Sequence, residues 1–400
     1  MNIFLKTYGC KANQYDSQLL LENLEANGYI LSSFGDADIV VVNTCCVTDK
    51  AEREARYFVK KAAEKGKNVW VVGCAVKKGT FLEKLVSGVN ILSDVPLKKN
   101  TITHFYNHTR AFVKIENGCE NFCTYCIVPY VRGKVKSRYE EEIISEIRAL
   151  CSNNYKEIVL TGIDTGAYGK DTGTDIINLL EKLKDIDGLK RVRLSSIEVF
   201  YLNEKLCDYL LSYPLFCPHL HIPLQSGSDK ILKLMGRRYT FSEYARVIEK
   251  IKKKDVEDRF TFTTDIMVGF PYEEDDDFDL SIKAVEEIEF LKVHIFRYSK
   301  REGTQSFSIG GEVPDRVKKE REKILEEVAR ISSRKVKEKF VGRRLDVLIE
   351  RKRDNCWEGY SSQYLPVKVF DIQGKWLLNE VVYVSATGID DKNGSVIGSL

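Results

Sequence analysis

Two periods of apolar and polar residues alternate along this chain, and their succession marks its organisation. In the first quarter, short apolar runs at 2–10, 38–46 and 68–74 are interleaved with stretches at 16–26 and 51–65 where apolar residues recur every three to four positions. The short runs predict buried strands and the longer spacing predicts amphipathic helices, with Leu19, Leu20 and Leu24 on one face of the first. Strands alternating with helices predict a parallel α/β sheet. Each strand-like run contains a cysteine at its carboxyl end: Cys10, Cys45 and Cys74. Ligands of open parallel sheets sit outside the carboxyl ends of the strands, so these thiols can converge there although about 30 residues separate each from the next.

A polar stretch at 98–110 reads as a linker, after which the alternation resumes six times. Strand-like segments at 111–115, 157–162, 190–196, 219–224, 260–269 and 292–299 are separated by helical patterns. Six such units are too few for a closed eight-fold barrel of ~250 residues and predict an open, six-stranded (βα)6 partial barrel. Residues 312–340 predict one long charged helix, and from 346 onward short β-patterned segments predict a small all-β barrel of the oligonucleotide-binding kind. The fold class is therefore α/β. It comprises an amino-terminal open parallel sheet over 1–97, a linker over 98–110, a partial barrel over 111–335 and a small β-barrel over 336–400.

Composition narrows the class. Hydrophobic residues at 43% and charged residues at 30% suit a globular protein with a core, and 26 Gly with 8 Pro exclude collagen-like or low-complexity chains. No apolar run approaches the ~18 residues of a membrane span, and the first ten residues lack the features of a signal peptide. A cytoplasmic protein without membrane contact is expected. The net charge of +3, from 62 basic and 59 acidic residues, does not by itself imply nucleic acid. Its distribution says more: residues 330–353 hold ten Lys or Arg against three Asp or Glu. Six of the seven residues in 273–279 are acidic, as suits the opening turn of a helix.

Eleven cysteines, an odd number in a reducing compartment, argue against a disulfide framework. Cys119, Cys123 and Cys126 crowd onto one loop after the first barrel strand. Soft thiolates select zinc or iron–sulfur clusters. Zinc would normally close with a fourth ligand nearby, whereas Cys151 lies 25 residues on, inside a helical pattern. Three ligands on a short loop point to a [4Fe–4S] cluster with one iron left open, a zinc knuckle being the alternative. For Cys10, Cys45 and Cys74 the alternative is three buried core thiols. Cys46, which strand alternation turns away from Cys45, reads as structural, as do Cys151, Cys207, Cys217 and Cys356.

The loop GCENFCTYCIVPYVRGK (118–134) resembles the cluster loop of radical S-adenosylmethionine enzymes in the form used by methylthiotransferases. GCKANQYDS (9–17), VVNTCCVT (41–48) and VVGC (71–74) resemble that family's amino-terminal cluster domain. RLSSIE (193–198), HIPLQSGSDKILKLMGRRYT (221–240), DIMVGFP (265–271) and YSKREGT (298–304) resemble its radical domain, and GYSSQYLPV (359–367) its RNA-binding TRAM module.

The resemblance implies two [4Fe–4S] clusters and S-adenosylmethionine as cofactors. Cys119, Cys123 and Cys126 would hold the radical cluster, whose open iron takes the amino and carboxylate groups of S-adenosylmethionine and whose electron splits it into methionine and a 5′-deoxyadenosyl radical. Cys10, Cys45 and Cys74 would hold an auxiliary cluster carrying the sulfur to be methylated and transferred, with a second S-adenosylmethionine as methyl donor. An aromatic C–H offers no acid, base or leaving-group route, so a cofactor must carry the hard step. The implied partners are tRNA and an electron donor such as flavodoxin or ferredoxin.

The cluster loop, RLSSIE and YSKREGT look most like the branch that methylthiolates carbon 2 of N(6)-threonylcarbamoyladenosine at position 37 of tRNA. The branch acting on N(6)-isopentenyladenosine is the alternative, and a non-catalytic iron–sulfur RNA-binding sensor is an alternative of another class. Two positions depart from the family pattern: Tyr272 follows Gly269-Phe270-Pro271, where the family commonly has glycine, and Arg297 precedes Tyr298.

Other residues gain candidate roles from this frame. Gln225, Ser226 and Gly227 follow the fourth barrel strand, where they line the S-adenosylmethionine site or form a plain turn. His219 and His221 share one strand face and read as pocket or core residues. Arg132 and Lys134 hold phosphate or carboxylate groups, or lie in a solvated loop. Arg351, Lys352 and Arg353 are candidate phosphate contacts, with Arg237 and Arg238 as a second RNA grip. Tyr360, Tyr364 and Phe370 offer stacking faces or belong to the barrel's own core. Arg297, Lys300 and Arg301 cluster near the sixth strand's end, where Arg301 is the candidate grip for a threonylcarbamoyl carboxylate, since Arg offers two parallel hydrogen bonds.

Overall fold

The apolar run Ile39–Thr44 is buried at every position and forms the centre of the first sheet. A continuous apolar strand of this kind belongs where both faces of a parallel sheet are covered. The computed structural model describes residues 1–77, 89–91, 98–370 and 376–400. Its first elements are β1 (Asn2–Thr7), α1 (Lys11–Glu25), β2 (Ile30–Leu31), β3 (Ile39–Thr44), α2 (Asp49–Glu64), β4 (Asn68–Gly73), α3 (Cys74–Lys77) and β5 (Val89–Ile91). The five strands are parallel in the order β2-β1-β3-β4-β5. Helix α1 begins at Lys11, five residues before the periodicity suggests, with Cys10 as its extended N-cap residue. Its first turn hides in the pattern because buried Asn13 is polar: its Nδ2 donates to the carbonyls of Tyr8 and Thr44 at 2.6 and 3.2 Å.

Then follow β6 (Arg110–Lys114), β7 (Glu116–Asn117), α4 (Val128–Arg132), β8 (Lys136–Ser137), α5 (Glu140–Ser152), β9 (Glu157–Thr161), α6 (Ile176–Leu183) and β10 (Arg191–Leu194). They are succeeded by α7 (Glu204–Ser212), β11 (His219–His221), α8 (Asp229–Leu234), α9 (Phe241–Lys254), β12 (Thr261–Val268), α10 (Asp275–Ile288), β13 (Lys292–Arg297) and α11 (Asp315–Glu338). Six of the strands form two parallel three-stranded sheets, β6-β9-β10 and β11-β12-β13, and β7 pairs with β8 antiparallel. Val192 in β10 spans the gap: its N–H donates to Leu215 at 2.7 Å and its carbonyl accepts from Cys217 at 2.8 Å, just before β11. Asp275, Asp276 and Asp277 open α10, as the acidic run suggests. Glu273 of the same run is instead buried against Arg321 at 2.7 Å.

The stretch 98–110 is no solvated linker. Ile102 and Phe105 are buried in the main core, and Glu22 of α1 accepts from the backbone N–H groups of Thr103 and His104. Polar residues fill this stretch because they answer the polar face of α1. The expected close of the first unit at 97 lies outside the described residues.

The tail comprises β14 (Arg344–Arg353), β15 (Cys356–Ser361), β16 (Pro366–Phe370), β17 (Val381–Ile389) and β18 (Val396–Ser399), a closed barrel ordered β14-β15-β16-β18-β17. It docks where the larger unit's strands begin. Arg193 donates to the carbonyls of Ser362 and Ser361 at 3.0 and 3.3 Å, Arg110 pairs with Glu350 at 2.6 Å, and Tyr364 stacks on His219. Among the described residues no helix is long and apolar enough to cross a membrane.

Candidate functional site

Cys45 and Cys74 immediately follow β3 and β4, and Cys10 follows β1 by three residues. The backbone that crowds them is glycine for steric reasons. Gly9 has φ +104°, and a Cβ there would sit 2.7 Å from the Sγ of Cys45. Cys10 is exposed, while Cys45 and Cys74 are buried. Burial pushes the Cys45 thiol up to about 11, and Cys10 and Cys74 act on it in the same direction. Cys74 moves the other way. A hydrogen bond from Cys46, joined by the Arg132 guanidinium, holds it down at about 6 against the effect of burial. Cys46, set aside by strand alternation, is thus a fourth thiol beside this triplet.

Cys119, Cys123 and Cys126 lie on the loop between β7 and α4, and the loop is pinned along its length. The N–H of Cys119 donates to Gly133 at 3.0 Å, that of Thr124 to Met235 at 2.9 Å, and the Thr124 hydroxyl to Leu234 at 2.8 Å. Burial pushes Cys119 and Cys126 up to about 12. Arg237 reaches in from beyond α8, its Nη1 at 3.3 Å from the Sγ of Cys123, its Nε on the Tyr239 hydroxyl, and its second Nη paired with Glu198.

One side chain from the helix after the second triplet reaches the first triplet. Arg132, at the end of α4, places its Nε 3.1 Å from the Sγ of Cys74, one Nη 2.8 Å from Asn117, and the other 3.2 Å from both Asn13 and Asp16. The sequence left a phosphate or carboxylate grip and a solvated loop open here; the arginine pairs with the carboxylate of Asp16 and joins α4 to α1 and α3.

Crowded, water-poor thiols ionise only where positive charge compensates them, and a bound metal supplies it. Among the described residues no three His, Cys, Asp or Glu side chains enclose a point where a single metal ion fits. A four-iron cube is wider than one ion, so its ligands stand further apart. Three sulfur donors per group suit such a cluster with one iron left open.

Residues 113–285 match the model of the Radical SAM superfamily, and residues 2–92 match that of the uncharacterized protein family UPF0004. The chain is 36% identical over 375 residues to the threonylcarbamoyladenosine tRNA methylthiotransferase MtaB of Thermotoga maritima, covering 86% of each. It is 34% identical over 432 residues to the tRNA-2-methylthio-N(6)-dimethylallyladenosine synthase of Caldicellulosiruptor saccharolyticus, covering 94% of this chain and 91% of the other. This chain belongs to the radical S-adenosylmethionine tRNA methylthiotransferase family.

Membership implies at least one [4Fe–4S] cluster and the use of S-adenosylmethionine. The likeness extends to a solved fold: a radical S-adenosylmethionine methyltransferase, TsrM, from Kitasatospora setae aligns at a TM-score of 0.54 with 13% identity over 76% of both chains.

Several residues of this methylthiotransferase stand elsewhere than their sequence roles suggest. Arg237 is not a surface RNA grip, since its guanidinium is buried beside Cys123; Arg238 is exposed and donates to the Glu120 carbonyl at 3.1 Å. Arg301 is buried and engaged by Glu52 of α2 at 2.8 Å, while Arg297 pairs with Glu322 and Lys300 with Glu312. None of these three guanidinium or ammonium groups is free of a carboxylate partner. Gln225 takes a positive φ of 73° at the end of a bridge to β12, Ser226 is fully buried, and Gly227 lies against the backbone of α10.

Tyr360 and Tyr364 stack on one another and under Arg110, whereas Phe370 stays half exposed. Arg351, Lys352 and Arg353 are exposed at the end of β14, with Arg351 2.5 Å from Glu358. His219 and His221 both meet the Thr263 hydroxyl, at 3.0 and 2.9 Å.

One residue escaped the sequence. Lys11, next to Cys10, is half buried; burial lowers its ammonium below the ordinary range, with Tyr364 and Asp265 opposing and Arg110 and Arg193 reinforcing. Its signal was there to find: a cation in a helix's first turn runs against the dipole.

Proposed function

We propose that this enzyme methylthiolates carbon 2 of an N(6)-modified adenosine at position 37 of tRNA. It would use two [4Fe–4S] clusters and an external electron donor such as flavodoxin or ferredoxin. Cys119, Cys123 and Cys126 hold the first cluster, and Cys10, Cys45 and Cys74 the second. When bound, these groups supply radical cleavage of S-adenosylmethionine and the sulfur to be transferred. The chain's own residues fix the geometry: Arg132 ties the helix after the first cysteine group to Cys74 of the second, and Arg237 braces Cys123. The six parallel strands act as one open partial barrel over 111–335, between an amino-terminal unit ending near 97 and an RNA-binding TRAM barrel over 336–400.

The observation that carries this proposal is the hydrogen bond from Arg132, on the helix that follows one cysteine triplet, to Cys74 of the other. Anaerobically reconstituted protein is expected to hold about eight irons, on the count of two [4Fe–4S] units, and Cys119→Ala or Cys10→Ala about half of them. Cys119→Ala should abolish formation of 5′-deoxyadenosine, and Cys10→Ala should keep it while losing thiolation. Equal loss of cleavage in both, with the other cluster intact, defeats these roles.

The threonylcarbamoyl substituent is supported by RLSSIE, YSKREGT and the MtaB relatives. The isopentenyl substituent is the second reading, because relatives named for dimethylallyladenosine match at comparable identity and Arg297, Lys300 and Arg301 all face carboxylates. Turnover of tRNA bearing each modification, read by nucleoside mass spectrometry, decides between them.

A further inference from the structure

A cleft of about 330 Å³ opens where α1 meets the short β7–β8 pair and the start of α5. Tyr15 and Leu19 of α1 form one wall, and Asn117, Lys136 and Tyr139 line the other. Its volume lies at the lower end of the ~300–1,000 Å³ typical of ligand pockets, room for a single nucleotide. Asn117 belongs to two places at once. It lines the cleft, and its Oδ1 accepts from Arg132 at 2.8 Å, the arginine whose Nε lies 3.1 Å from the Sγ of Cys74.

Part of the polar lining is already committed to the fold. Arg138 donates to the Tyr15 hydroxyl at 2.9 Å and to the Asn100 carbonyl at 3.1 Å, and pairs with Glu146 at 2.6 Å; Lys114 pairs with Asp16. Three side chains are not so committed. Lys136 is exposed, and its ammonium makes no hydrogen bond and no ion pair with any described residue. Asn117 is its register partner in the antiparallel pair, so the two side chains stand side by side, and the Nδ2 of Asn117 has no acceptor among the described residues. Tyr139 is the N-cap residue of α5, where Ser, Thr, Asp or Asn would satisfy a helix N–H, and its side chain caps nothing. Its ring is 68% exposed.

An unpaired ammonium, an amide and an open aromatic face around one cavity are the equipment that holds a nucleotide. The cation meets the phosphate, the amide a base edge and the ring the base face. The charges of the lining favour an anion, with Lys114, Lys136 and Arg138 against Glu142.

We propose that this cleft holds one unpaired nucleotide of the substrate tRNA, with Lys136 on its phosphate and Tyr139 against its base. This rests on the tRNA reading above and adds an RNA contact to the one expected on β14. The test uses reconstituted full-length protein and an anticodon stem-loop, with binding measured at several salt concentrations and all variants compared at equal iron content. Lys136→Ala is expected to lower the log–log salt slope by about 0.7, one phosphate of a single strand, and Lys136→Arg to keep it. Tyr139→Ala should weaken binding about fivefold to 150-fold, the effect of one stacked base, and Tyr139→Phe should bind as wild type does.

A second measurement needs no variant to fold. With 5-iodouridine placed at each loop position in turn, irradiation of the wild-type complex should join one position to Tyr139, located by peptide mass spectrometry. Unchanged slope in Lys136→Ala together with unchanged affinity in Tyr139→Ala, or cross-links that all miss Tyr139, overturn the proposal and leave the tRNA reading standing. A free nucleoside monophosphate that binds through Tyr139 and is not displaced by the stem-loop makes the cleft a small-molecule site and overturns it too. Wild-type protein that binds no stem-loop defeats the tRNA reading itself.

Discussion

The Nε of Arg132 lies 3.1 Å from the Sγ of Cys74, so the helix that closes one cysteine loop hydrogen-bonds a member of the other triplet. The same guanidinium meets Asn117, Asn13 and Asp16, which leaves a shorter, non-planar cation unable to replace it. Arg132→Ala is expected to lower the unfolding free energy by at least about 1.5–3 kcal/mol, and Arg132→Lys to recover only part of it. Urea unfolding under anaerobic conditions measures both. Wild-type stability in Arg132→Ala would mean that the cysteine groups are held together elsewhere.

Glu116 gives a pH signature. It is fully buried, accepts from the Asp164 N–H at 2.7 Å through Oε1, and its Oε2 has no hydrogen-bond partner. Burial pushes its carboxyl from an ordinary 4.5 up to about 8. Between those values the folded chain keeps a proton that the unfolded chain has released. This contribution to stability is therefore complete below pH 4.5 and is lost as the pH rises through about 8. Glu116→Gln, which keeps the shape and cannot ionise, should flatten the decline across that window. An identical pH profile in the variant would show that Glu116 does not titrate there.

Arg301 is expected to act on stability and not on substrate choice. Its buried ion pair with Glu52 joins the loop after β13 to α2, and Arg301→Ala leaves Glu52 with Arg56 as its remaining partner. Breaking a buried pair costs about 3–5 kcal/mol, and the retained arginine places this case toward the lower end. Denaturant unfolding reads that loss. A changed preference between the two modified tRNAs at unchanged stability would return Arg301 to the substrate.

Architecture was more legible than side-chain roles, for physical reasons. The buried strands β1, β3 and β4 announce themselves as apolar runs, and the cysteines at their ends follow from strand geometry alone. Helix α1 started earlier than its pattern because Asn13 is buried and polar, and its hydrogen bonds to the sheet edge leave no hydrophobic trace. Arg237 and Arg301 could not be read because a charged residue in a loop looks the same whether it faces water or a buried carboxylate such as Glu198 or Glu52. Arg351 lies exposed at a strand end, as a phosphate contact and a solvated turn both require.

The basic run of β14 remains the expected site of phosphate binding, with one adjustment. Glu358 sits against both Arg351 and Arg353, at 2.5 and 3.7 Å, and offsets part of their charge. Replacing Arg351, Lys352 and Arg353 with Ala should weaken tRNA binding and flatten its log–log salt slope by about 0.7–0.9 for each phosphate no longer neutralised. Glu358→Gln should strengthen binding. Filter-binding titrations at several salt concentrations measure both, and an unchanged slope in the triple variant moves the RNA grip off β14.

The docking of the tail against the strand starts makes it a stopper for the larger unit. Ser361 and Ser362 supply the carbonyls that satisfy Arg193, and Asp346 meets Arg191 at 3.2 Å. Cutting the chain after α11 would strip acceptors from two arginines rooted in the interior and flood Glu157, which is wholly shielded from water. The two halves are therefore not interchangeable cassettes. A foreign tail grafted here would have to bring acceptors of its own for Arg191 and Arg193, so recombination between relatives is constrained at a seam that has nothing to do with RNA.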